Sequence, residues 1–493
     1  MISAKLVIED EVNVWFHGVD KKVRSECYNT LKHFIPQSIH SPKFKLGYWD
    51  GTVSNFSISG HTYLNLLPKV LPIIVDKYSY DLTIEDHRIS YDFEFSSIDE
   101  DYAVNHMPNG IWPIGTQLAG SPIKIRDYQC DSINQFLQNT QAVGEIATGA
   151  GKSMLSAILS HKCEPYGRTL VIVPSKSLVT QTEKNFKLVG LDVGVFYGDR
   201  KDINHKHVIS TWQSLHSLNK NKKKDPQTIL DFKKDIVAVI VDEVHALKDD
   251  NVLKDLMCGF LSTIPIRWGL TGTVPSESKH PHLYESIVTF IGPIVNKISV
   301  KELQDKDILS KCHVNIHQIK DNKKYTTYQD EVNYLLTDEK RLNWIANLIQ
   351  TRGKEGNTLI LVNRIATGKD LIKKIPGSIF ISGTMGNKER TTHYDSVNDN
   401  NNMMIIATYG VAAVGIDIPR IFNLILLEPG RSFARVIQSI GRGIRRAADK
   451  DFINIDDVCS TCKFSKRHMA DRISMYTEAE YPHSLSKIDL PTE

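Results

Sequence analysis

Residues 144–153, GEIATGAGKS, have the composition of a phosphate cradle. They follow an apolar run and precede MLSAILSH, which reads as a helix. Thr148, Gly149, Ala150 and Gly151 form the loop that would wrap a nucleotide's phosphates. The two glycines let backbone N–H groups come close, and the helix start adds its positive pole. Lys152 is placed to reach the β- and γ-phosphates, and Ser153 to hold Mg2+. The strict spacing pattern asks for glycine where the sequence has Ile146. The remaining residues and the strand–loop–helix context carry the assignment.

A second set of reactive groups follows the apolar run IVAVIV: Asp242, Glu243 and His245 in DEVH. Ligands of parallel α/β sheets bind beyond the carboxyl ends of the strands. Asp242 is placed to hold hydrated Mg2+, and Glu243 to orient and deprotonate an attacking water. His245 would link this site to a neighbouring domain. A lone acidic pair at a strand end has a bland reading, which weakens beside a phosphate loop in the same pattern. ATP hydrolysis also gains from positive charge on the γ-phosphate oxygens. The stretch SFARVIQSIGRGIRR spaces Gln438, Arg442 and Arg445 so that one helix face can carry all three. A basic solvated face is the alternative, and the sequence does not order Arg442 and Arg445 as the principal finger.

The elements needed to position these groups are visible as rhythm. At 493 residues the chain exceeds a single core. Residues 1–113 read as a small α+β domain. VIEDEVNVWF alternates like a strand, VRSECYNTLKHFI places Val23, Cys27, Leu31 and Phe34 at helical intervals, and GTVSNFSIS and TYLNLL read as short strands. The Pro- and Gly-rich residues 105–122 read as a linker. Beyond it, GEIA, TLVIVP, HVIST and IVAVIVDE are short apolar runs of buried parallel-strand character, and the rhythm resumes with NTLILVN, SIFISG, MMIIAT and LILLEPG. Two tandem α/β domains, 114–296 and 297–450, followed by a tail, 451–493, are expected.

Composition adds bounds. With 41% hydrophobic and 24% charged residues the chain is ordinary for a globular protein, and a net charge of +3 does not by itself announce nucleic acid. Seven cysteines suit a reducing compartment, and Cys459 and Cys462 form a lone C-x-x-C, weak as a zinc signal. The opening residues lack a signal-peptide pattern and no run reaches a membrane span, so a cytoplasmic protein with no membrane partner is expected.

The motif series resembles the superfamily 2 DExH-box helicases over roughly residues 120–450. DYQCDSINQF resembles the adenine-reading motif, with Gln129 as reader and Arg126 beside it. IVPSKSLVTQ, with Pro174 and Ser175, and STWQSL, with Thr211 and Gln213, resemble strand-contacting motifs. LTGT, with Thr271 and Thr273, resembles the motif that couples hydrolysis to movement. ATYGVAAVGIDIPR resembles the motif where Thr408 meets DNA and Gly415 and Asp417 face the nucleotide. QSIGRGIRR resembles the arginine-finger motif. The resemblance implies two RecA-like parallel-sheet motor domains preceded by the α+β domain, with ATP and Mg2+ as cofactors. Nucleic acid would be held mainly through phosphates.

Residues 41–51, SPKFKLGYWDG, narrow the resemblance. Pro42, Phe44, Gly47, Trp49, Asp50 and Gly51 make the N-terminal domain similar to that of the bacteriophage UvsW-type branch-migration helicases, and DFINIDDV is similar to that family's ending. The similarity implies branched or forked DNA as substrate, a bacterial host cytoplasm as location, and a monomer meeting recombination or single-strand-binding proteins. Read as a hairpin, the stretch lets Lys43 and Lys45 meet phosphates while Tyr48 or Trp49 stacks on a base pair. Phe44 and Trp49 as core residues, with Gly47 and Gly51 shaping the turn, is the competing reading. An RNA helicase, a duplex-translocating restriction motor and an ATPase that remodels partners without unwinding stand as alternatives.

Overall fold

The computed structural model describes residues 2–116, 118–220, 226–247, 252–321, 323–411, 418–430, 436, 439–441 and 443–490. The chain divides into two compact units. One comprises residues 1–146 and 151–297, the other residues 298–493 with the short segment 147–150.

The first unit begins with a four-stranded sheet. Strands β1 (Ile2–Ile8) and β2 (Asn13–His17) are antiparallel. The expected single strand over VIEDEVNVWF is therefore broken. Asp10 breaks it by accepting hydrogen bonds from the N–H groups of Val12 (2.9 Å) and Asn13 (2.7 Å), a turn built by a short acidic side chain. Alternation buries Ala4, Leu6 and Ile8 against Val23 and Cys27 of the helix Lys21–Thr30. Leu31, at the end of that helix, is buried too, but Phe34 leaves the helical face. It lies on β3 (Lys32–Phe34), which pairs with β4 (Thr52–Ser54). Strands β5 (His61–Tyr63) and β6 (Tyr80–Asp86) complete the sheet in the order β5-β2-β1-β6.

The stretch SPKFKLGYWDG is the connection of the β3–β4 arm, not a hairpin itself. Pro42, whose fixed φ suits a first helical position, opens the helical turn Pro42–Lys45, and Gly51 at φ +77° closes the stretch. A Cβ on Gly51 would sit 2.3 Å from Ser38 Oγ and 2.7 Å from the Phe34 ring, so only glycine fits.

The arm's base is fastened to the sheet domain that follows. Glu285, on the helix Pro281–Phe290, has a side chain only 2% exposed. It accepts from Asn55 Nδ2 and Lys69 Nζ, each at 2.8 Å, and His33 Nε2 lies at 3.1 Å. Burial pushes the Glu285 carboxyl up, yet His33, Lys69 and Asn55 together outweigh it and hold it below the usual range. Tyr63 packs edge-to-face on Phe290 with centroids 5.1 Å apart, and Val12 joins the same core as Val143 and Leu170.

That following domain holds β7 (Gln141–Ile146), β8 (Arg168–Val173), β9 (Val193–Tyr197), β10 (Arg200–Lys201), β11 (His207–Thr211), β12 (Ile236–Asp242), β13 (Ile266–Thr271) and β14 (Ile294–Ile298). Their order is β10-β9-β11-β8-β12-β13-β7-β14. The pairs from β9 through β7 are parallel, and the strands are buried nearly end to end.

The second unit has a seven-stranded sheet: β15 (Lys311–Ile319), β16 (Thr358–Val362), β17 (Ile379–Ile381), β18 (Met404–Thr408), β19 (Asn423–Leu427), β20 (Phe452–Ser460) and β21 (His483–Ile488). The order is β17-β18-β16-β19-β20-β15-β21, and every pair is parallel. The expected tail is thus corrected. Residues 452–488 supply an interior strand, an edge strand and the intervening helix Lys463–Glu478. Cys459 and Cys462 are buried free thiols, and among the described residues no His/Cys/Asp/Glu cluster could hold a metal ion. No described helix is long and apolar enough to cross a membrane.

Strand β20 carries two buried acids, each answered by cations. Asp456 accepts from His317 Nε2 and Arg352 Nε, both at 2.7 Å. Asp457 accepts from Arg472 Nε (2.7 Å), Arg472 Nη2 (2.8 Å) and Tyr476 OH (2.8 Å). Removing one partner of such a pair strands the other charge. Arg472→Ala should lower the stability of the second unit by about 3–5 kcal/mol, read by denaturant titration of the full chain.

Candidate functional site

Three adjacent strands, in the order β12-β13-β7, end at one place. The loop after β7 is the phosphate cradle, the end of β12 carries Asp242 and Glu243, and the end of β13 carries Thr271. Ile146 closes β7 and is fully buried, so its side chain belongs to the core and leaves the cradle to Gly149 (φ +93°) and Gly151 (φ +89°). The left-handed φ of Gly151 favours glycine there, and a Cβ would also displace the Gln129 amide, whose Nε2 would lie 2.4 Å away. Gln129 is buried on the helix Asp127–Leu137, where its Oε1 accepts from the Arg126 N–H at 3.1 Å. Arg126 Nη1 in turn donates to Tyr128 OH at 3.0 Å.

Lys152 and Ser153 open the helix Lys152–Cys163. Lys152 Nζ stands 3.4 Å from Glu243 Oε1. Glu243 has φ +56°, a left-handed conformation that costs a non-glycine residue about 1–3 kcal/mol. His245 Nδ1 lies 3.2 Å from Glu243 Oε2 and 2.8 Å from Thr271 Oγ1. Thr271 Oγ1 also donates to the Thr273 carbonyl (3.0 Å) and accepts from the Thr273 N–H (3.2 Å). Contacts thus run from Lys152 through Glu243, His245 and Thr271 to Thr273, the Glu243–His245 step being a close approach of charges and not a hydrogen bond. The partner of His245 is Thr271 of the same unit, which sequence reasoning had left as an unnamed neighbouring domain.

The carboxyls are pushed apart electrostatically. Burial, then the neighbouring Glu243 charge, raises Asp242 to about 6. Burial also pushes Glu243 up, but Lys152 and His245 outweigh it and hold its carboxyl well below the usual range. A glycine cradle, a lysine cation, and hydroxyl and carboxylate oxygens at Ser153 and Asp242 fit a nucleotide phosphate with a hard divalent cation.

The strand-contact candidates of the first unit also converge. Pro174, Ser175, Thr211 and Gln213 line a groove of about 520 Å³ together with Lys176, Tyr197 and Lys201. Ser175 Oγ accepts from the Leu178 N–H (3.4 Å) and so caps the helix Lys176–Leu188. Sequence reasoning missed the last three groove residues; FYGDRK, dense in aromatic and basic residues, signals Tyr197 and Lys201, and Lys176 directly follows Ser175. In the second unit Thr408 ends β18, in register with Val362 at the end of β16. Arg445 is half-buried. Gly415, Asp417, Gln438 and Arg442 lie outside the described residues.

On the arm, Lys43 and Lys45 are exposed and Tyr48 is 82% exposed. Trp49 and Phe44 are half-buried, and Trp49 Nε1 donates to the Thr52 carbonyl at 2.8 Å, so both readings of the stretch hold in part. Leu46, 69% exposed, adds an apolar neighbour to Tyr48.

Family models match in two places. The type III restriction enzyme res subunit model matches residues 122–276, and the helicase conserved C-terminal domain model matches residues 340–447. The ATP-dependent DNA helicase uvsW of Enterobacteria phage T4 is 23% identical over 97% of this chain and 100% of its own. The DNA 3'-5' translocase XPB2 of Sulfurisphaera tokodaii is 28% identical over 38% of each chain. A fragment of a putative HsdR subunit of a type I restriction enzyme from Vibrio vulnificus shares the fold, with a TM-score of 0.54 at 15% identity over 93% of this chain and 84% of that one. The chain belongs to the superfamily 2 helicases and is an ATP-dependent DNA helicase. Within that superfamily it is UvsW-like.

His245→Ala and Thr271→Val each cut the same chain of contacts. Each should lower the base pairs opened per ATP hydrolysed, and the double variant should be no worse than the worse single one. Coupled unwinding and phosphate-release assays measure both quantities.

Proposed function

We propose that this helicase acts on branched DNA, regressing forks, migrating Holliday-type junctions and unwinding D-loops or R-loops. The observation that carries the reading is the arm. It presents a bare aromatic–aliphatic tip, Tyr48 and Leu46, just past the exposed Lys43 and Lys45, and its base is fastened to the nucleotide-binding unit through Glu285. An exposed ring can stack on the last base pair at a branch point, while lysines meet phosphates on either side. The likeness to the uvsW DNA helicase over 97% of this chain supports DNA as the substrate.

In the proposed cycle Lys152 and the glycine loop bind the ATP phosphates, and Ser153 and Asp242 hold Mg2+, which offsets phosphate charge when bound. Glu243, kept ionised by Lys152 and His245, orients the attacking water and takes its proton. Gln438, Arg442 and Arg445 supply positive charge to the transition state. Gln129 and Arg126 recognise the base, with Gly415 and Asp417 facing the nucleotide. His245, Thr271 and Thr273 couple hydrolysis to strand movement. The groove of Pro174, Ser175, Thr211 and Gln213, together with Thr408, holds the strand through its backbone. The protein works as a monomer in the host cytoplasm, beside recombination or single-strand-binding proteins.

Lys152→Ala should lose nucleotide binding or turnover. Glu243→Gln should bind ATP and hydrolyse it orders of magnitude more slowly, and wild-type turnover would remove the assigned base. An unwinding panel of forks, four-way junctions, plain duplexes and RNA hybrids tests the substrate. Junctions and forks should be preferred. Tyr48→Ala should cost junction processing roughly 5- to 100-fold, the equivalent of about 1–3 kcal/mol of stacking, with single-strand-stimulated ATPase kept. Equal rates on all substrates, or an indifferent Tyr48→Ala, would remove the branched-DNA reading.

A further inference from the structure

Lys450 is a buried cation that the cycle above does not use. It is 3% exposed, and lysines are almost never so buried without a partner carboxylate. Its recorded partners are three backbone carbonyls: Pro419 (3.0 Å), Arg445 (2.8 Å) and Gly443. An ammonium has three donors, and all three are spent here. Gly443 is helical, and Arg445, two residues on, forms an isolated bridge with Leu309. Pro419 stands two residues past Asp417 in the sequence.

A second tie runs beside the first. Arg420, next to Pro419, donates to Asp449, next to Lys450, through Nη2 (2.7 Å) and Nε (3.0 Å). Arg420 also holds the Asn398 carbonyl (2.7 Å). From the other side, the Ser310 N–H donates to the Ile444 carbonyl (2.8 Å) and Ser310 Oγ to that of Arg445 (3.4 Å). The backbone beneath the Arg445 side chain is thus fixed by a buried cation with no freedom to choose other acceptors.

We infer that Lys450 is a positioning residue for Arg445. It clasps the backbone at Gly443 and Arg445 to that of Pro419, so that the guanidinium is presented in one orientation when ATP is hydrolysed. This rests on the reading of Arg445 as a transition-state cation. Lys450 touches no reacting atom; its effect passes through the Gly443 and Arg445 carbonyls.

The clasp has a pH signature. Burial first, and the Arg445 charge second, lower Lys450 to about 7, while Asp449 opposes them. Of the other charges nearby, Arg420 is engaged with Asp449, and Arg446 Nη1 is directed to Asp307. Below about 7 the ammonium supplies three N–H groups and a charge. Above it, the amine supplies two N–H groups and no charge, so the clasp loosens as pH rises. Stability runs the other way. Between the folded value of about 7 and the ordinary lysine value of 10.5 the unfolded chain binds more protons, so this group makes the fold more stable as pH rises. Falling turnover in a window of rising stability separates positioning from unfolding.

The experiment measures ATPase kcat and KM of the full chain, with Mg2+ and a single-stranded oligonucleotide, across neutral to alkaline pH. Wild type should show a falling kcat limb above about pH 7. Lys450→Met, close in volume, should lower kcat about tenfold, leave the KM for ATP and the oligonucleotide affinity unchanged, and lack that limb. Asp449→Asn, which keeps Lys450 but removes the charge that raises its pKa, should move the limb to lower pH, and serves should Lys450→Met fold poorly. Wild-type kcat in Lys450→Met, a parallel rise in KM, or a limb unmoved in Asp449→Asn would overturn the inference. Arg445→Ala separates the two claims. If it leaves turnover intact, the finger reading fails; if it abolishes turnover while Lys450→Met does not, only the clasp fails.

Discussion

One ammonium facing one carboxylate organises the nucleotide site. Lys152 and Glu243 come from different loops, and their attraction across 3.4 Å balances two charges that neither loop could bury alone. Glu243 also stands 3.2 Å from His245, which is bound to Thr271. Lys152 is thereby connected to the end of β13 through Glu243 and His245. The left-handed φ of Glu243 is the local cost of aiming its carboxylate between Lys152 and His245.

The parallel sheet makes this arrangement possible. Because β12, β13 and β7 are adjacent and parallel, their carboxyl ends deliver three loops to one edge. The strands themselves are almost wholly apolar, so the charged residues that matter occur where each strand stops. That is also why the site was legible in the sequence. GAGKS, DEVH and TGT are contiguous, each follows an apolar run, and no long-range contact is needed to recognise any of them.

What escaped the sequence was buried polarity. DFINIDDVCS reads as a polar tail because Asp456 and Asp457 look like surface acids, yet it is an interior strand. Its acids are paired with Arg352 and Arg472 and contacted by His317, residues far away in sequence, so no periodicity could show them as buried. Glu285 hid in the same way, as an ordinary helix acid that three distant side chains make into an anchor. The arm failed for a different reason. Its Gly and Asp-Gly signals were read correctly as turns, but Pro42 starts a helical turn, and the pairing strands lie outside the quoted stretch, where three-residue runs carry no visible alternation.

Mechanics gives the Glu285 anchor its meaning. A ring pressed against a base pair does work only if its support does not yield. A two-stranded arm of three-residue strands is too small to be stiff by itself. Its stiffness must be borrowed. Here the loan comes at the base: His33 on β3 and Asn55 just past β4 straddle one buried carboxylate, with Lys69 closing the third side. Glu285 sits on the helix that the chain enters after β13 and the Thr271–Thr273 turn. The arm's base is therefore anchored to the unit that carries the candidate nucleotide site, through one buried carboxylate.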